Sequence, residues 1–212
     1  MKPTDKKLIE ASISGSVEAA KEALKEGANI NATNISGWTA LHYACDRGNS
    51  SVVKLLIESG ADVHFFTPGM STPPILWAAL RGQSDTAELL LGAGANINTS
   101  DNMGHTALHY ACSSGSEELA KLLVAKGADI GAQATNGNTP LHKACSIPNL
   151  GIIKTLIEAG ADVNQPNAAG QTPFDMDDTG VVQEWSRSRV TMDDIDSLFN
   201  AADSGLPEGF VL

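Results

Sequence analysis

The sequence predicts an all-α protein built as a solenoid, and three observations carry that reading. The stretch Gly37-Trp38-Thr39-Ala40-Leu41-His42-Tyr43-Ala44-Cys45-Asp46 returns as Gly104-His105-Thr106-Ala107-Leu108-His109-Tyr110-Ala111-Cys112 and as Gly137-Asn138-Thr139-Pro140-Leu141-His142-Lys143-Ala144-Cys145. Looser copies run from Pro73 to Ala79 and from Gly170 to Asp175, so the anchor positions 39, 73, 106, 139 and 172 are separated by 34, 33, 33 and 33 residues. A fixed period of this length means a stacked array in which no unit buries its apolar face alone. The composition agrees, with 42% hydrophobic but only 5% aromatic residues, as suits a core of Leu, Ile, Val and Ala.

The first repeat, residues 1–34, opens on Lys2, Asp5, Lys6 and Lys7, polar enough to cap the array, with Leu8, Ile9 and Ala11 on a short helix. Val17 to Leu24 has helical apolar spacing, and Gly27-Ala28-Asn29 stops it. In the second repeat Thr39 can cap a helix N-terminus, and the next position, Ala40 here, is Pro140 and Pro173 later, a residue suited to the first helical turn. Leu41 points inward, Ala44 and Cys45 permit close helix stacking, and Gly48 permits the turn to a second helix whose apolar face is Val52, Val53, Leu55, Leu56 and Ile57. Ser59-Gly60 ends that helix, and Gly60-Ala61-Asp62-Val63 starts an extended loop echoed at Gly27, Gly94, Gly127 and Gly160.

The third repeat is irregular. Its loop, residues 64–72, carries the inserted residue and two adjacent phenylalanines, Pro73 stands in the Thr position and Leu76 in the His position. One phenylalanine fills the gap left by the irregular loop, or the pair forms an apolar contact for a partner. The fourth and fifth repeats are regular, with Pro148 replacing the turn glycine. The sixth begins at Thr172 but sets Asp177 and Asp178 where small core residues stood, so residues 168–185, with Val181, Val182 and Trp185, are expected to close the stack. Residues 186–212 form an acidic tail. Thr191-Met192-Asp193-Asp194 resembles a helix start, and Ile195, Leu198 and Phe199 share one face of a short helix over 192–200. That tail is flexible, docks back on the array, or is a linear motif read by another protein.

The Thr-Pro-Leu-His-x-Ala motif and the Gly-Ala-Asp-Val-Asn turn closely resemble ankyrin repeats, over about Asp5 to Trp185. The resemblance implies a curved stack of antiparallel helix pairs with β-turn fingers along one edge, in which fingers and first helices form a concave, protein-binding face. It also implies that His42, His109 and His142 tie neighbouring loops together by hydrogen bonds, a tie that Leu76 removes. A zinc site is the competing explanation of the recurring histidines, but ligands of one ion all lie about 2 Å from it, and these stand a repeat or more apart.

Charge, cysteine and motif content narrow the function. The chain carries −11, of which −7 falls after Phe174, and it lacks the basic surface that nucleic acid requires. Cys45, Cys112 and Cys145 share one motif position in different repeats and are read as free buried thiols. With no apolar run of membrane length and no secretory leader, a monomeric cytoplasmic or nuclear protein is expected, and the Asn-x-Ser/Thr matches at Asn31, Asn34, Asn49 and Asn98 read as chance. No phosphate loop or nucleophile elbow is present, so no catalytic residue, metal or cofactor is assigned.

The expected activity is that of a non-catalytic scaffold binding a protein or peptide on the concave face of repeats 2–4. The residues assigned to it are Ile35, Trp38, Tyr43, Asp46, Arg47, Phe65, Phe66, Met70, Trp77, Leu80, Arg81, Met103 and His105, since Trp and Arg dominate interface energies. Trp38, Tyr43, Asp46 and Trp77 also stand where the ankyrin domain of certain histone lysine methyltransferases, which looks similar, forms a methyl-lysine cage; such a box holds a methylated ammonium by cation–π attraction. A regulatory or inhibitory subunit of an enzyme is a third reading. Asn31, Asn98 and Asn164 resemble sites of ankyrin asparaginyl hydroxylation.

Overall fold

The computed structural model describes residues 1–67, 72–147 and 149–176. Among them are ten α-helices in two stacked layers. One layer holds the first helix of each repeat, α1 (Pro3–Ser14), α3 (Ala40–Arg47), α5 (Pro74–Leu80), α7 (Ala107–Ser114) and α9 (Pro140–Ser146). The other holds the second helices, α2 (Val17–Lys25), α4 (Ser50–Glu58), α6 (Ser84–Gly92), α8 (Glu117–Ala125) and α10 (Leu150–Glu158). A 3-10 turn over Pro173–Met176 packs on α9 and begins the sixth unit. The remainder of the expected closing repeat, with Val181, Val182 and Trp185, the acidic tail and its 192–200 helix lie outside the described residues, as do Met70 and Pro148.

Small residues set the curvature. Ala44, Cys45, Ala78, Ala79, Ala111, Cys112, Ala144 and Cys145 are fully buried along the first-helix layer, and helix separation depends on the side chains at the contact. The first helices lie closer to one another than the second helices, whose buried faces mix Leu, Val and Ile with Ala20, Ala23, Ala87 and Ala120, a difference that puts the first helices on the inner side of a curved stack. The first repeat differs from the expectation of a short helix: α1 runs 12 residues, because Pro3 starts it early and the Asp5 carboxylate accepts from Lys2 N–H in the first turn.

Each turn between paired helices is sealed by the next repeat. Asn49, Gln83, Ser116 and Asn149, one per repeat, donate to carbonyls at the C-terminal end of the preceding first helix: Ser12 (2.7 Å), Asp46 (3.4 Å), Gly82 (3.1 Å) and Gly115 (3.2 Å). These are carbonyls that a helix leaves unpaired at its end, so the contact both satisfies them and fixes the stacking register. All three cysteines are free and buried, and burial pushes the Cys45 and Cys112 thiols well above their ordinary range.

Candidate functional site

The inner side of the stack consists of the fingers and the exposed flanks of α3, α5, α7 and α9. Three fingers, those of the second, fourth and sixth repeats, are braced from within by an Asx side chain five residues before the motif threonine. Asn34 Oδ1 accepts from the N–H groups of Ser36 and Trp38 at 2.9 and 3.0 Å, Asp101 Oδ1 from Met103 and His105, both at 2.9 Å, and Asn167 Oδ1 from Ala169 and Gln171 at 2.9 and 3.0 Å. Two of these side chains also reach the two tyrosines: Asn34 Nδ2 donates to the Tyr43 hydroxyl at 2.7 Å, and the Tyr110 hydroxyl donates to Asp101 Oδ2 at 2.6 Å. The residue assignments above omit these braces, although the recurring pattern Asx-x-x-Gly at Asn34, Asp101 and Asn167 announces them.

The histidines hold the scaffold. In each regular copy Nδ1 accepts from the threonine backbone N–H, at 3.3 Å for His42, 3.2 Å for His109 and 3.1 Å for His142, and lies 2.8 to 2.9 Å from the threonine hydroxyl. A nitrogen that accepts from an amide carries no hydrogen, so the ring is neutral with its hydrogen on Nε2. From there His109 donates to the carbonyl of Asn138 and His142 to that of Gln171, each at 3.0 Å and each in the following finger. Burial pushes the His42 and His109 imidazoles down to about 4, and that of His142 down as well.

The tie fails one junction earlier than expected. Leu76 does replace the histidine of the third repeat and is fully buried, yet His42 Nε2, which faces the irregular third finger, is itself buried with no hydrogen bond of adequate geometry. The backbone of Thr72 and Phe65 lies near enough to favour its charge slightly without completing the bond. Phe65 packs edge-on to the His42 ring instead, with centroids 6.1 Å apart, while Phe66 is 49% exposed beside a cleft of about 100 Å³ lined by Val63, His64, Pro73 and Ile75. Phe65 thus packs against the scaffold while Phe66 faces outward.

Of the assigned residues, Ile35, Arg47, Phe66, Leu80, Arg81 and Met103 are exposed, and Trp38, Tyr43, Asp46, Phe65, Trp77 and His105 are half-buried. The structure brings Trp38 against Tyr43 and Trp77, with ring centroids 4.9 and 4.3 Å apart. At 4.3 Å two rings are in contact, so no methylammonium fits between Trp38 and Trp77 as they stand. The Asp46 carboxylate is engaged too: Arg81 Nε donates to it at 2.9 Å, Arg81 Nη2 lies 2.8 Å away, and Arg47 Nε lies 3.7 Å away. His105 stacks near Tyr110 and His109 rather than joining the tryptophans, and burial, helped by the Lys143 charge, holds its imidazole below the ordinary range against the pull of Asp101.

Among the described residues no group of three or more His, Cys, Asp or Glu side chains is placed to hold a metal ion, and no helix is long and apolar enough to cross a membrane.

Three family models match the chain, all described as ankyrin repeats: a three-copy model over residues 68–134 and two many-copy models over 8–57 and 122–176. Among similar proteins, alpha-latrotoxin-Lg1a of Latrodectus geometricus is 40% identical over 84 residues, 39% of this chain and 6% of the toxin. Dauer abnormal formation protein 25 of Caenorhabditis elegans is 35% identical over 104 residues, 49% of this chain and 27% of its own length. Human ankyrin repeat domain-containing protein 40 is 36% identical over 67 residues, 31% of this chain and 18% of that protein. The chain therefore matches only a small part of each relative. Ankyrin repeats are generally protein–protein interaction modules, typically non-catalytic. The helix pairs, the threonine–histidine caps and the three matching models together make this chain a member of the ankyrin-repeat family.

Proposed function

We propose that the chain is a protein-binding scaffold whose partner lies along the inner face of repeats 2–4. The observation that carries this reading is the exposure of large apolar side chains in one zone of a small-residue scaffold: Ile35 at 106%, Met103 at 55% and Leu80 at 39%. They flank Arg47 and Arg81, and large exposed apolar groups rimmed by charge mark interaction surfaces. A methyl-lysine cage would require Trp38 to leave Trp77 and Asp46 to leave Arg81, and that cost weighs against it.

The test is affinity capture from a cell extract with the wild-type chain and with a Leu80→Ser, Met103→Ser variant of the same melting temperature. A partner retained by the first and lost by the second is expected. Equal capture by both would place the binding surface elsewhere.

A further inference from the structure

We propose that the acidic segment around residues 192–199 occupies this inner face in cis, so that a partner in trans must displace it. The proposal rests on the reading of the inner face as a binding surface and adds a regulator to it.

Charge is the first support. Along the inner flanks of α3, α5, α7 and α9 the charged side chains are Asp46, Arg47, Arg81 and Lys143, a net charge of +2, or +1 with Asp101 of the adjoining finger, in a chain of −11. Asp46 is neutralised chiefly by Arg81, with Arg47 Nε 3.7 Å away, which leaves the exposed Arg47 and the half-buried Lys143 as the surplus cations of these flanks. At the corresponding place in the first repeat stands Glu10, so the cationic stretch is confined to repeats 2–5. After Arg189 the chain has five acidic residues, Asp193, Asp194, Asp196, Asp203 and Glu208, and no basic one.

Shape is the second. Leu80 and Ile147, 39% and 51% exposed, and the half-buried tryptophans offer apolar surface between those cations. Ile195, Leu198 and Phe199 fall at i, i+3 and i+4 amid the acidic residues, the pattern by which an amphipathic helix enters a groove.

Length is the third. Fifteen residues lie between Met176 and Met192, enough to span about 50 Å extended. Successive helices stack about 8–10 Å apart, so α5 and α3 lie about 24–40 Å from the sixth unit, a reach that requires residues 177–191 to be extended rather than packed as the expected closing repeat.

A nitroxide on Ala201→Cys tests the contact in the full chain, since Cys45, Cys112 and Cys145 have no exposed surface to compete for the label. The readout is paramagnetic broadening of the Trp38 and Trp77 indole N–H signals, assigned by single Trp→Phe variants. Strong broadening is expected, unchanged on dilution, weakened by salt and reduced several-fold by Ile195→Ser, Leu198→Ser, Phe199→Ser, substitutions that leave the array untouched. Absence of broadening refutes the proposal, and broadening that fades on dilution replaces it with a contact between two copies. Neither outcome bears on capture of a partner, so the two readings fail separately.

Discussion

Acid should destabilise this stack through its neutral histidines. His42 and His109 have folded values of about 4 against an unfolded value near 6.5, and each unit of difference is about 1.4 kcal/mol. Because the folded values lie below the unfolded one, the unfolded chain binds more protons in that interval. Stability is therefore complete above about pH 6.5 and is lost as pH falls towards 4, by about 3 kcal/mol for each of these two residues. A natural domain has about 5–15 kcal/mol in all, so acidification to pH 4.5 should consume much of it before most carboxylates titrate. His109→Leu isolates one contribution, and Leu76 demonstrates that the motif accepts leucine at this position. The variant loses the bond to Asn138 O, which at pH 7.5 should cost about 1–3 kcal/mol. Between pH 7.5 and 4.5 it should then lose about 2.5 kcal/mol less than the wild type. Urea midpoints followed by circular dichroism across that range measure both slopes. Parallel slopes would refute the assignment of His109 as a buried neutral imidazole.

The finger glycines and the thiols give further expectations. Gly137 has φ 77°, and a Cβ there would stand 2.6 Å from Ala168 N, whose N–H bonds the Asn136 carbonyl in the neighbouring finger. Gly127 also has positive φ, 85°, but open space around it. Gly137→Ala should therefore lower the melting temperature clearly more than Gly127→Ala, which bears only the backbone cost of about 1 kcal/mol. With Cys45, Cys112 and Cys145 at 0% exposure, a thiol reagent should label none in the native protein and all three after denaturation; rapid native labelling of any one would contradict the packing of the first-helix layer.

The repeat period and the motif made the helix pairs, the small-residue seam and the two later histidine ties legible in the sequence, because these depend on local spacing that recurs. What belongs to one junction showed only in part. Tryptophans at positions 38 and 77 could be recognised as individual to this array, but their mutual contact at 4.3 Å depends on how far the irregular finger shifts. The capture of Asp46 by Arg81, 35 residues away, likewise joins two positions that each repeat reads separately. The unpaired Nε2 of His42 sits at the junction with the irregular third repeat, which shows in the spacing only as one step of 34.

These features of the second and third repeats are connected. Where the junctions after α7 and α9 are held by a histidine and a carbonyl and the junction of α5 with α7 has Leu76 in the histidine position, the junction of α3 with α5 has a histidine without that bond and is joined by the Trp38–Trp77 contact, the Arg81–Asp46 ion pair and the Gln83 bond to the Asp46 carbonyl. The ion pair is partly exposed and contributes little by itself, so the aromatic contact is the main replacement for the missing tie. Trp38 and Trp77 then stabilise the scaffold as well as line its inner face, and truncating either would weaken binding whether or not it touches a partner. Leu80, Met103 and Ile35 project from the same zone without bridging repeats 2 and 3, which makes them the positions at which a loss of binding can be separated from a loss of structure.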